Sequence, residues 1–157
     1  MVLRAAPARS LKVINMTDPR PTATQTDVPT VLIVEDCEET RLVVKAMMTN
    51  LLGARVAEAA DGATAVKLAA DIHPRLVVMD LDLPILDGFE ATRQILAQPE
   101  NSDVPVIALS AHAWNTEWRQ RARQCGCNYV LESRGDFSWI EEIAGPLLAS
   151  RKSQRPE

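Results

Sequence analysis

Several common architectures are excluded by what this sequence has little of. No apolar stretch approaches the roughly 18 residues that a membrane-spanning helix needs, so no membrane association is expected. Basic residues are not in excess: 17 Lys and Arg stand against 21 Asp and Glu, a formal net charge of −4. Nucleic-acid binding needs a basic stripe, and none is present, so no nucleic-acid partner is expected. Cysteine is confined to Cys37, Cys125 and Cys127. An odd number without framework spacing argues against a disulfide scaffold and suits reduced thiols in a cytoplasmic setting. Cys125-Gly126-Cys127 is too tight for the usual zinc spacing, and His73 and His112 lie far apart, so a zinc or His-based site is not expected. Aromatic residues make up 4% of the chain, but three of them are tryptophans: Trp114, Trp118 and Trp139.

What is present suits one domain. The chain has 157 residues, 46% of them hydrophobic, enough to bury a core. Residues 1–29 carry Pro7, Pro19, Pro21 and Pro29 with many Thr and Ala and no periodic apolar pattern, and read as a flexible extension. Arg4, Arg9 and Lys12 without acids faintly resemble a transit peptide, but Met16 as the true start is the reading favoured here. A folded unit is expected over 30–149, followed by a flexible tail over 150–157.

Within that unit, apolar runs alternate with helical patterns. Val31-Leu32-Ile33-Val34 reads as a buried strand ending on Glu35-Asp36. A helix follows from about Glu38 to Leu52, with Val43, Met47 and Leu51 beside Val44, Met48 and Leu52 as a broad packing face, and Gly53 as its stop. Ala54 to Ala59 is a strand, and Asp61 caps a helix from Ala63 to about Ile72. Leu76 to Met79 is a second buried strand, ending on Asp80-Leu81-Asp82-Leu83-Pro84. Asp87-Gly88-Phe89-Glu90 has capping-box spacing and opens a helix to about Ala97. Val104 to Leu109 is a strand ending on Ser110-Ala111, Asn115 to Gln124 a polar helix, and Asn128 to Leu131 a short last strand. Ser138 to Glu141 offers a capping box for the last helix, in which Gly145-Pro146 should force a kink or an end. Five strands alternating with five helices imply a doubly wound parallel sheet with helices on both faces.

Ligands in such sheets sit at the carboxyl ends of the strands. Those ends supply Glu35, Asp36, Asp80 and Ser110. Crowded carboxylates repel one another unless a cation neutralises them, and a hard divalent ion with oxygen ligands, most plausibly Mg²⁺, suits the set. An ion beside a free carboxylate is also what phosphoryl transfer requires.

These residues carry a family resemblance. Val-Leu-Ile-Val-Glu-Asp at 31–36, Val-Val-Met-Asp-Leu-Asp-Leu-Pro-Ile-Leu-Asp-Gly at 77–88, Val-Ile-Ala-Leu-Ser-Ala at 106–111, Asp61-Gly62 and Gly126-Cys127-Asn128 resemble response-regulator receiver domains, over about residues 30–148. The resemblance implies a flavodoxin-like receiver fold in a stand-alone, chemotaxis-type protein of two-component signalling. Such a domain takes a phosphoryl group from a sensor histidine kinase or phosphotransfer protein and signals to an output protein by contact. It implies Asp80 as phospho-acceptor, Ser110 as switch hydroxyl and Ala111 as a backbone N–H donor to the phosphoryl group. Asp36 and Asp80 would bind Mg²⁺ directly, Glu35 through water, and Asp82 through its backbone carbonyl. No enzymatic activity is implied beyond self-phosphorylation from phospho-donors and autodephosphorylation. The family's output surface, around its fourth helix, fifth strand and fifth helix, would here carry Trp114, Trp118 and Trp139, and homodimerisation through that face is a further implication.

The fifth strand departs from the pattern. The family ends it with an aromatic residue, two more residues, then Lys-Pro. Alignment on Gly126 puts Val130 at the aromatic position, Ser133 at the lysine and Arg134 at the proline; sliding by one restores Tyr129 but sets Glu132 on the lysine. A phosphorylation-independent pseudo-receiver is therefore an alternative reading. The Asp80-Leu81-Asp82 triplet also resembles the Asp-x-Asp of haloacid-dehalogenase-type phosphatases, although the acid pair at 35–36 precedes it by a whole strand unit.

Overall fold

The computed structural model describes residues 28–150. The expected extension and tail, with Met16 and the transit-like residues, fall almost wholly outside the described residues. Five strands, β1 (Thr30–Val34), β2 (Arg55–Ala59), β3 (Leu76–Asp80), β4 (Val106–Ser110) and β5 (Tyr129–Glu132), form one parallel sheet in the order β2-β1-β3-β4-β5. The helices are α1 (Glu38–Leu52), α2 (Gly62–Ile72), α3 (Gly88–Leu96), α4 (Thr116–Gln124) and α5 (Gly145–Ser150).

Alternate side chains of each strand enter opposite layers, because the side-chain period of a strand is two. Leu32, Val34, Val77, Met79, Val106 and Ala108 join a core with Ala65 and Ala69 of α2, Phe89 and Ile95 of α3, and Ala122 of α4. Val31, Ile33, Leu76, Val78, Ile107 and Leu109 meet Val44 and Met48 of α1, and Ile140, Ala144 and Leu148, on the other side. This double burial explains why the central strands read as continuous apolar runs rather than as alternating ones. β1 and β3 are paired, with Val34 beside Met79. The chain leaves β1 outward to β2 and returns past it to β3, so the order reverses at this pair and the crevice opens beyond their carboxyl ends.

The helix termini follow local chemistry. Gly53 takes φ 61° and closes α1 by donating to Met48 and Thr49 carbonyls. Asp61 accepts from the Thr64 N–H and Asp87 from the Glu90 N–H, the two expected N-caps, and Asn115, expected as the first residue of the polar helix, instead caps it by accepting from the Trp118 N–H.

Four expectations need correction. The strand expected from Val104 starts at Val106, since Val104 donates to the Asn101 carbonyl in a turn. In α1 Val44 and Met48 are buried and Met47 and Leu52 pack partly against the same core, while Val43 and Leu51 remain nearly half exposed, because the stripe that reaches the sheet is narrower than the two full rows. Ser138 caps nothing: its hydroxyl donates to Asp136, whose carboxylate also takes the Ser138 N–H. The last helix is not ended by Pro146 either. A π-helical stretch, Ile140–Ala144, runs into α5 with the Gly145 N–H reaching the Ile140 carbonyl, so the helix widens just ahead of Pro146 and continues past it to Ser150.

Candidate functional site

The carboxyl ends of β1 and β3 bring three acids together. Glu35 follows the last residue of β1 and Asp80 ends β3; both are buried, at 6% and 8% exposure, whereas Asp36 faces solvent. One carboxylate oxygen from each of Glu35, Asp36 and Asp80 lies within 4.8 Å of the others. Asp80 Oδ1 accepts the Asp82 N–H at 3.0 Å, and Glu35 Oε1 accepts the Cys37 N–H at 3.1 Å. Burial is the main force on both buried acids. It pushes Glu35 up to about 7, aided by the Asp80 charge, and Asp80 up to about 6, against the lowering effect of the Asp82 N–H.

The backbone around the acids is held from several sides. The Glu35 N–H donates to the Ala59 carbonyl at 3.0 Å, and Arg41 Nη1 donates to the Glu35 carbonyl at 2.8 Å. The Leu81 N–H reaches the Leu109 carbonyl and the Gly88 N–H the Leu81 carbonyl. A Cβ on Gly88 would stand 2.2 Å from the Asp80 carbonyl oxygen, so glycine lets the start of α3 lie against the end of β3. Between them the loop turns at Ile85, which has φ 70° and 86% exposure, with the Leu86 N–H bonded to the Pro84 carbonyl at 2.8 Å. That is a γ-turn of the rarer, strained hand, centred on a β-branched residue.

A cavity of about 260 Å³ opens over the acids. Glu35, Asp36, Asp80 and Asp82 form its acidic side, Cys37 and Thr40 its rim at α1, and Ala111, Ser133 and Arg134 its opposite wall. Ser110 is near but is not part of that wall. It is fully buried, and its Oγ accepts the His112 N–H at 3.0 Å. The Ser133 N–H donates to the Ser110 carbonyl at 3.2 Å, which seats the end of β5 beside the mouth. Three contributors were missed by sequence reasoning: Thr40, Arg41 and the close approach of Gly88. Only the last left a local signal, as the glycine directly after the Asp87 cap.

The tryptophans do not form one face. Trp114 lies before the Asn115 cap, outside α4, and is 70% exposed. Trp118 is half-buried, edge-on to Phe89 at 4.9 Å and to His112 at 5.0 Å, with the Arg121 guanidinium 4.0 Å over the Phe89 ring. Trp139 is buried at 7% exposure in the core on the other side of the sheet. The expected three-tryptophan surface is thus reduced to Trp114, because Trp118 and Trp139 pack into opposite layers.

The donor set fits a hard divalent cation. All three groups are carboxylates, their oxygens converge, and burial makes the charged forms of Glu35 and Asp80 costly unless a cation neutralises them.

Comparison with known proteins gives consistent matches. The family model for the response regulator receiver domain matches residues 31–142. Sensor protein EvgS of Escherichia coli K12 is 39% identical over 101 residues, covering 64% of this chain but 8% of EvgS. Protein PilH of Pseudomonas aeruginosa is 36% identical over 117 residues, covering 74% of this chain and 96% of PilH. The crystal structure of the receiver domain of sensor histidine kinase PA1611 from Pseudomonas aeruginosa PAO1, described with a magnesium ion coordinated in its active site cleft, superposes with a TM-score of 0.70 at 35% identity. That superposition covers 78% of this chain and 98% of the PA1611 domain.

Proposed function

This chain belongs to the response regulator receiver family, and from that premise we propose that it accepts a phosphoryl group on Asp80 from a sensor histidine kinase or phosphotransfer protein and signals by protein–protein contact. The observation that carries this reading is the convergence of Glu35, Asp36 and Asp80 oxygens within 4.8 Å at the β1–β3 crevice. Glu35, Asp36, Asp80 and the Asp82 backbone carbonyl would hold Mg²⁺, which when bound supplies the positive charge that screens the incoming phosphoryl oxygens.

The remaining work belongs to the chain itself. An Asp80 carboxylate oxygen attacks phosphorus in line, and the bond from phosphorus to the donor breaks. With acetyl phosphate the leaving group is acetate, and Asp80 becomes an acyl phosphate. The Asp82 N–H, already on Asp80 Oδ1, fixes the carboxylate so that its other oxygen is the nucleophile. The Ala111 backbone N–H, at the cavity wall, is the donor offered to a phosphoryl oxygen. Ser110 must exchange the His112 N–H for a phosphoryl oxygen if it is to act as a switch, so the β4–α4 loop is what phosphorylation would disturb.

A phosphorylation-independent binding module is the second reading. It is favoured by one observation: no lysine stands in the cavity wall among the described residues, where Ser133, set on the family's lysine by the alignment on Gly126, lines it instead. Intact-mass spectrometry after incubation with Mg²⁺ and acetyl phosphate separates the two. A single phosphoryl adduct that requires Mg²⁺ and is lost in Asp80→Ala supports the phospho-acceptor. Absence of an adduct with any small donor supports the binding module.

A further inference from the structure

Four acidic residues line the cavity, and Arg134 is the one cationic side chain in its wall among the described residues. Its place is set by the backbone: β5 ends with Glu132 beside Ser110, the Ser133 N–H is held by the Ser110 carbonyl, and Arg134 is the next residue. Three arginines packed around the sheet's carboxyl edge and the α3–α4 layer are engaged elsewhere. Arg41 spans the Glu35 carbonyl and Glu58, Arg93 pairs with Glu90, and Arg121 lies over Phe89 with Asp87 at 3.7 Å. Arg134 is exposed and has no ion pair or hydrogen bond with another described residue, so its guanidinium keeps all its donors.

An uncommitted guanidinium at an acidic cavity has two possible jobs. It could neutralise the carboxylates, or it could receive an anion that arrives once a metal has neutralised them. The structure favours the second, since Arg134 lines the cavity yet sits on none of the four carboxylates. A transferred phosphoryl group brings about −1.5 to −2 charges and three acceptor oxygens, and a planar fork binds two such oxygens at once. We propose that Arg134 is the cation that binds the phosphoryl oxygens on Asp80, as a bidentate group in place of an ammonium. This assignment rests on the phospho-acceptor reading above.

The test compares two titrations of the full chain, Mg²⁺ alone and beryllium fluoride in the presence of Mg²⁺, for wild type, Arg134→Gln and Arg134→Lys. Calorimetry reads the first, and tryptophan fluorescence or fluorine NMR reads the second. Arg134→Gln is expected to bind Mg²⁺ as tightly as wild type or slightly more tightly, because a positive charge leaves the cavity. Its affinity for the phosphoryl mimic should fall roughly tenfold or more, the loss of a charge-assisted pair. Arg134→Lys should recover part of that loss. Unchanged affinity for the mimic in Arg134→Gln overturns the assignment while leaving Asp80 as acceptor. Equal weakening of both titrations overturns it too, as the sign of a merely structural role. If wild type binds Mg²⁺ but neither the mimic nor a phosphoryl group from acetyl phosphate, this assignment falls together with the phospho-acceptor reading.

Discussion

Gly88 and Asp80 are packed so closely that a methyl group on the glycine would overlap the Asp80 carbonyl at 2.2 Å and the Leu81 Cα at 2.7 Å. Both obstacles are backbone atoms of the strand that carries the central acid, so neither can swing aside like a side chain. Alanine in a helix is ordinarily favoured over glycine by up to about 1 kcal/mol. Here the overlap wins, and Gly88→Ala is expected to cost about 1–3 kcal/mol net, the range for overpacking. Urea unfolding measures the loss, and Mg²⁺ affinity should fall in the same variant because the Asp80 end of β3 must move. Unchanged stability would mean that α3 can slide off the strand at no cost.

The buried acids set a pH dependence that the cation should cancel. Glu35 is pushed up to about 7 from 4.5, and Asp80 up to about 6 from 3.8. Between the ordinary and the raised values the folded chain holds more protons than the unfolded chain, so without divalent ions these two groups lower stability as pH rises through that window. Mg²⁺ replaces the protons, so the stabilisation it provides should grow from about pH 5 to about pH 8. Thermal unfolding with and without Mg²⁺ across that range reads the difference directly. Taking the difference also removes the opposing effect of Glu58, which Lys45 and Arg41 hold below its ordinary value. Glu35→Gln should flatten the dependence.

Asn128 splices the start of β5 onto β4. Its Oδ1 accepts the Val106 N–H at 2.8 Å, and its own N–H donates to the Val106 carbonyl at 2.9 Å. Asn128→Ala leaves a buried N–H without its acceptor and is expected to cost about 1–3 kcal/mol. Asn128→Asp keeps an acceptor at that place and should cost less. Equilibrium denaturation of both variants checks the order.

Tryptophan fluorescence reports the layer assignments. Trp114 is 70% exposed and Trp139 7%, so acrylamide should quench chiefly Trp114. Trp114→Phe is expected to remove most of the quenchable emission, and Trp139→Phe to leave it in place. The reverse pattern would contradict the burial of Trp139 under the α1–α5 layer.

The sequence determined the architecture because its signals are local. Apolar runs that end on acids marked the strands; Asp61 and Asp87 marked helix starts, and Gly53 marked a stop, since each acts through its own backbone within a few residues. Five such units in alternation leave few ways to build a sheet, and acids at strand ends necessarily face one edge of it. What tertiary structure decided was whatever depends on neighbours distant in the chain. It set Glu35, Asp36 and Asp80 within a few ångströms of one another, pinned the Glu35 carbonyl with Arg41, and kept the Ser110 hydroxyl on the His112 N–H instead of in the cavity wall. It parted Trp118 from Trp139, because strand side chains alternate between two cores and each helix covers only one of them. It left Val43 and Leu51 of α1 nearly half exposed, since a helix on a sheet buries only the stripe that the sheet can reach.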